Sequence, residues 1–570
     1  MRITELENST KITEYIENVR SHKNVSVFGL NKGEKLYLAN IIDKKVVYIV
    51  NSAESCEEYS NYFKKMGKKV ATILNANTNY LYHTKEFGNM QQQRQESLYS
   101  MISNNVDVLV LNAEVLNEKF VSPQTFKRNI LTFSVNQDIS PDDLCALLSK
   151  VGYIRVQQVE MGGQFARRGD VVDIFPINSQ LPYRLYYFDT VIEKIKSFNV
   201  LSQYGIDEVE NLELCPNGYD VTPEECSKIA NSIEASVDRA IKRVRLVSNP
   251  HEFLANLSNL NVTKEAINTG ISLSTWGYFS AWCEGVSILD YMPDSVVFVD
   301  QPKQVYKSLV ESQTRLNDSI QDAINTGMLL DKHIGVLNDM DDILRALKQH
   351  TNVAYQNILT ANNLFEAQSV ISMDCMSVPD VRGNWEQVTV ELDRLMQDGY
   401  KIILSCADAN DAVAIDETLT KLGKKVKNVH KEQEIRQDAY NVMIAKYQYG
   451  FCFVDTKIMM IGREQLNIRK PKKKTSTRNN KKLQEEFCIP SVGEYVVHDV
   501  HGIGICEGVK QLTINNAVRD YLVISYKNND KLYVPTEQFD MLSKYVGADK
   551  TPTLNVLLYL PSCIKARSKS

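Results

Sequence analysis

The chain has no C-x-x-C pair, no apolar run near the roughly 20 residues that span a bilayer, and no complete G-x-x-x-x-G-K-[ST] phosphate loop. Its eleven cysteines, Cys56, Cys145, Cys215, Cys226, Cys283, Cys375, Cys406, Cys452, Cys488, Cys506 and Cys563, are scattered and odd in number. That excludes a disulfide scaffold and a clustered metal site, and fits the reduced, mainly buried thiols of a cytoplasmic protein. The first residues, MRITELENSTKITEY, lack a basic flank followed by an apolar block, so no secretory signal is read there. A net charge of −5 excludes a chain that is basic throughout and clamps nucleic acid with its whole surface. What remains is ordinary soluble composition, 43% hydrophobic and 24% charged, over 570 residues, enough for roughly four domains. No membrane partner is expected, and a monomer is.

Val25–Phe28, Val46–Val50, Val70–Leu74 and Val106–Leu111 read as short buried strands, with helices over Glu54–Met66 and Gln91–Ser103 between them. That alternation predicts a parallel α/β sheet. A strand-rich stretch follows, then helices over Thr222–Val244 and His251–Leu257, and Val296–Asp300 reads as a strand returning to the sheet. The expected fold is therefore multidomain α/β: a split α/β domain (1–128 and 217–330), an inserted antiparallel β-rich domain (129–216), a second small α/β domain (350–465) without a catalytic constellation, a basic linker (466–486), a small β-barrel (487–550) and a tail (551–570). Across residues 463–482 nine Lys and Arg face only Glu464, which reads as a solvated tether that could touch DNA phosphates weakly.

Gly29, Gly33 and Lys35 stand where an ATPase would place its phosphate loop, after the first strand and before a helix. Leu36 occupies the position of the magnesium-holding hydroxyl, and Glu34 replaces the glycine before the lysine with bulk and negative charge. No later segment reads as a DExH box, so the loop is expected to be degenerate and not to bind nucleotide. No catalytic residue or metal ligand is assigned. His498 and His501 flank a glycine-rich turn without further ligands at a suitable spacing and read as turn-forming or packing side chains.

The segment Gly152–Phe198 alternates apolar and polar residues and reads as several short antiparallel strands, with a turn at Asp189-Thr190. Arg168, Arg184 and Phe188 then share a sheet surface. Strand arginines are commonly solvated edge residues that oppose aggregation, whereas a basic pair beside an exposed aromatic is also interface composition. The pattern G-x-x-R-V…G-x-F-A-x-R-G-x-x-x-D-I-F-P…P-x-R-L resembles the second domain shared by the excision-repair protein UvrB and the bacterial transcription-repair coupling factors (Mfd). That resemblance implies UvrA docking through Arg168, Arg184 and Phe188.

Near the end, VGEYVVHDVHGIG and DKLYVPTEQFDMLSKYVG are similar to the CarD-like (Tudor-like) RNA polymerase-interacting domain of the same family. This implies binding of the polymerase β subunit by an edge strand near Leu512 and Ile514. Family members continue into a helicase-like motor that uses ATP and magnesium, so neither cofactor is expected for this chain. It is expected to be a fragment or a truncated product, and to act as an adaptor between stalled polymerase and excision repair. The alternatives are a helicase or ATPase active as it stands, and a CarD-like transcription regulator without a repair role.

Overall fold

The computed structural model describes residues 3, 5–6, 9–75, 85–220, 222–247, 249–259, 271–272, 279–381, 384–466, 493–498, 502–514, 517–527, 530–535 and 542–544. They fall into two compact units, 1–468 and 469–570. Within the basic stretch Arg463–Leu466 is a short helix; residues 467–482, His501 and the tail 551–570 lie outside the described residues. No described helix is long and apolar enough to cross a membrane.

The first unit is built on a seven-stranded parallel sheet in the order Ser369–Ser372, Val25–Phe28, Thr351–Gln356, Val296–Asp300, Val46–Val50, Val108–Asn112, Val70–Ile73. A parallel sheet is covered on both faces by its crossovers, so its central strands are apolar on both sides. Val46–Val50 is buried throughout, and alternate residues feed opposite cores: Tyr48 and Phe298 enter one, Val47, Ile49, Val297 and Val299 the other. Val108–Asn112 and Val296–Asp300 both flank Val46–Val50, so the chain leaves the sheet after one and returns with the other.

The sheet also takes in Thr351–Gln356 and Ser369–Ser372, which hydrogen-bond on either side of Val25–Phe28. The expected boundary at 330–350 therefore cuts through this sheet. Strands of six and four residues carry no local mark of which sheet they join. A second, five-stranded sheet follows in the order Val426–Val429, Tyr440–Ile444, Lys401–Cys406, Ile458–Ile461, Phe451–Phe453. It is not a separate body: Phe451 packs tilted against Tyr37 of helix Lys32–Asn40 at 4.6 Å between ring centroids, and Tyr447, Phe451 and Phe453 belong to the same core as Val25, Val27 and Tyr355.

The inserted module is a six-stranded sheet, Gly205–Val209, Val191–Phe198, Tyr183–Phe188, Val171–Phe175, Gln164–Arg168, Ile154–Arg155, antiparallel except for the last pair. Helix Pro141–Lys150, capped by the Ser140 hydroxyl, packs Leu144 and Leu148 on one face against Phe165, Val172, Leu185 and Tyr187. The second unit is a five-stranded antiparallel sheet ordered Lys531–Pro535, Ala517–Ser525, Gly502–Ile514, Tyr495–His498, Leu542–Lys544. Its described core holds Val496, Cys506, Leu522, Ile524, Tyr526, Leu532 and Val534.

Candidate functional site: two docking surfaces and a closed phosphate loop

Strand Val25–Phe28 passes through Gly29 into helix Lys32–Asn40. Gly29 has φ of +83°, and a Cβ there would stand 2.2 Å from the Met373 carbonyl oxygen. A Cβ on Gly33 would stand 1.8 Å from the Gly450 oxygen. A helix N-terminus with bare amides attracts phosphate, but here it receives the chain's own backbone. The Cys452 amide donates to Glu34 Oε1 at 2.8 Å. Lys35 Nζ pairs with Asp300 Oδ1 at 2.8 Å, and the Tyr59 hydroxyl donates to Asp300 Oδ2 at 3.0 Å. Lys32 is held by Glu58 at 2.7 Å and lies 4.8 Å from the Tyr449 ring centroid. The glycines that would admit phosphate and the lysine that would reach it are thus all engaged by protein.

Glu34 is buried, its Oε2 has no hydrogen-bond partner, and burial pushes its pKa up to about 7 against the opposing Cys452 amide. A carboxyl held neutral in the fold contributes stability that is complete below its ordinary value of 4.5 and lost as pH rises through about 7. Glu34→Gln stays neutral throughout. Melting curves from pH 4 to 8 should therefore show the wild type falling progressively below the variant between these two values. Parallel curves would mean that Glu34 is ionised in the fold.

In the inserted module, Leu185 and Tyr187 point into the core, so Arg184, Tyr186 and Phe188 take the outward face by alternation. The register sets Arg168 opposite Val171, Val171 opposite Tyr186, and Tyr186 opposite Lys194, forming one row across four strands. The next row is Ala166, Asp173, Arg184, Lys196 and Glu208. Arg168, Arg184 and Phe188 therefore share one face, but in different states. Phe188 is 77% exposed, and Arg168 is exposed with one hydrogen bond to the Gln157 carbonyl at 3.2 Å. Arg184 is committed inward: Nε and Nη2 grip Asp173 at 2.6 and 2.9 Å, Nη2 also reaches Gln203 Oε1 at 2.9 Å, and the guanidinium lies 4.4 Å from the Phe198 ring centroid. The Asp173 hydrogen bonds push the already high pKa of Arg184 higher still.

In the second unit, Tyr495–His498 pairs with only the first part of strand Gly502–Ile514, residues 502–505, and Gly493 with Glu494 exchanges hydrogen bonds with Cys506. From Gly508 to Ile514 the strand pairs on one side only, with Ala517–Val523, and no described strand takes the other. Leu512 stands opposite Arg519 and Ile514 opposite Ala517.

The UvrB interaction domain family matches residues 131–219, and the CarD-like/TRCF RID domain family matches residues 491–546. The transcription-repair-coupling factor of Bacillus subtilis (strain 168) is 25% identical over 473 residues, covering 82% of this chain and 40% of that protein. The factor of Staphylococcus haemolyticus is 24% identical over 575 residues, covering 97% and 48%. The chain is similar to transcription-repair-coupling factors. It spans less than half the length of these two relatives. A solved structure, a hypothetical ATP-dependent RNA helicase from Sulfolobus tokodaii, aligns at 7% identity with a TM-score of 0.21, too low to support a shared fold.

Two features of this coupling-factor-like chain escape sequence reading. Val296–Asp300 reads only as a returning strand, yet its last residue is the partner of Lys35. The one available signal is an apolar strand ending in aspartate at the sheet's carboxyl edge, where nucleotide enzymes hold magnesium. The other is the turn at Asn199–Tyr204, whose Gln203 engages Arg184.

Proposed function

We propose that the chain is an adaptor that couples stalled RNA polymerase to nucleotide excision repair. The inserted module docks UvrA through its outward face, with Arg168 and Phe188 in direct contact and Arg184 in the same surface. The CarD-like module captures the polymerase β subunit by adding a strand at the one-sided edge that carries Leu512 and Ile514; main-chain hydrogen bonds give affinity in this mode and alternate side chains give specificity. Neither docking step needs the chain to bind or hydrolyse ATP. The observation that carries the reading is Phe188, 77% exposed beside an exposed arginine, within the residues matched by the UvrB interaction domain.

Binding to purified UvrA, measured by biolayer interferometry, should weaken about 30-fold or more for Arg168→Glu and for Phe188→Ala, as for central interface anchors, with melting unchanged. Leu512→Asp should abolish capture of RNA polymerase while leaving UvrA binding intact. A wild-type chain that ignores UvrA would remove the repair assignment.

A further inference from the structure

Phe188, Leu201 and Tyr204 are the most exposed large apolar side chains among the described residues, at 77, 81 and 79%. Leu201 and Tyr204 belong to one turn, residues 199–204, between strands Val191–Phe198 and Gly205–Val209. A turn made only to reverse the chain has no use for two large apolar groups in water, and polar or glycine residues serve it better.

This turn is also well ordered by its own bonds. Asn199 Oδ1 accepts from the amides of Leu201 at 2.9 Å and Ser202 at 3.0 Å. The Gln203 amide donates to the Asn199 carbonyl at 2.8 Å, and the Asn199 amide donates to the Tyr204 carbonyl at 3.0 Å. Gln203 sits at φ +60°, a left-handed conformation that non-glycine residues adopt rarely and only when their surroundings hold them there. What holds it is its own side chain, whose Oε1 accepts from Arg184 Nη2 at 2.9 Å while Nε2 donates to the Val200 carbonyl at 2.7 Å. Arg184 in turn is fixed by the buried Asp173.

We infer that the turn Asn199–Tyr204 is a second anchor of the same docking surface, presenting Leu201 and Tyr204 to UvrA, with Arg184 and Gln203 as positioning residues. The inference rests on the function proposed above and extends it. Arg184 and Phe188 are four residues apart on one strand, about 13 Å, so the turn prolongs the Phe188–Arg168 face beyond its Arg184 row. Lys194 and Arg168 lie along the same rows, which calls for a partner surface with an apolar recess flanked by carboxylates. A pre-ordered turn loses little freedom on docking, so its two side chains add affinity that a floppy loop would forfeit.

The test measures UvrA binding by the full chain. Leu201→Ser combined with Tyr204→Ser should weaken it at least ~30-fold, the scale of hot-spot loss, with unchanged melting because both side chains are already in water. Gln203→Ala should weaken it ~3- to 10-fold through lost ordering, and Gln203→Glu, which keeps the acceptor for Arg184 but gives up the donor to the Val200 carbonyl, should lose less. Wild-type affinity in the Leu201/Tyr204 double variant, with Phe188→Ala still weakened, would overturn the second anchor and leave the proposed function standing. Equal losses for Gln203→Ala and Gln203→Glu would overturn the positioning role. No UvrA binding by the wild type would overturn both readings together.

Discussion

Arg184→Ala is expected to destabilise the inserted module by about 3 to 5 kcal/mol, the usual result of removing one partner from a buried ion pair. Asp173 is 2% exposed, and both its carboxylate oxygens are taken by Arg184. Without the guanidinium that charge stays buried and unpaired. The loss also uncovers Phe198 and frees Gln203. Since whole domains are stable by only about 5 to 15 kcal/mol, a fifth or more of the module's stability is at stake. Hydrogen exchange is the suitable measurement, because a chain of several modules does not unfold in one step. Amides of Gln164–Phe198 should lose protection while those of Val46–Val50 keep it. Arg184→Ala with Asp173→Ala should be less destabilised than the single change, since the stranded charge is gone. Unaltered protection in the single variant would show that the pair is not coupled to the fold. Loss of UvrA binding in Arg184→Ala alone is thus no proof of direct contact, whereas loss in Phe188→Ala is.

Lys35→Ala should cost about 3 kcal/mol or more and change no ATP turnover. In a working phosphate loop the lysine faces ligand, so its removal ends hydrolysis and leaves the fold largely intact. Here the Lys35 and Asp300 side chains are 6 and 12% exposed and hold each other across the carboxyl edge of the sheet. Removing the lysine leaves Asp300 with the Tyr59 hydroxyl alone. The variant should melt well below wild type, and neither protein should gain thermal stability from ATP with magnesium. ATP-dependent stabilisation of the wild type, lost in Lys35→Ala, would reverse this reading and make the chain a nucleotide-binding protein.

The parallel sheet is legible in the sequence because its central strands are unbroken runs of β-branched and aromatic residues, Val46–Val50 and Val296–Val299 among them. The outward face of the inserted module is legible because alternation along Tyr183–Phe188 leaves Arg184 and Phe188 on the side opposite Leu185. The inward turn of Arg184 is not, since its partners Asp173 and Gln203 read as an ordinary strand acid and an ordinary turn residue. Closure of the phosphate loop is still less visible. Leu36 and Glu34 announce that the loop is degenerate, but the groups that fill it, Asp300 and Cys452, lie 265 and 418 residues away from their partners. Pairings at that separation come from topology, which a local pattern does not encode.

The seating of Gly450–Cys452 on helix Lys32–Asn40 has a consequence during synthesis. At about 5 to 20 residues per second, roughly 20 to 80 s pass between emergence of Glu34 and of the Cys452 amide that receives it, 418 residues later. Throughout that interval Tyr37 lacks Phe451, the ring that packs against it, and is left as a sticky surface for chaperones to cover. The inserted module's own core, drawn from residues between Leu131 and Leu214, is complete once Leu214 has emerged. On the ribosome, the inserted module can therefore be finished while the body that carries it is still open.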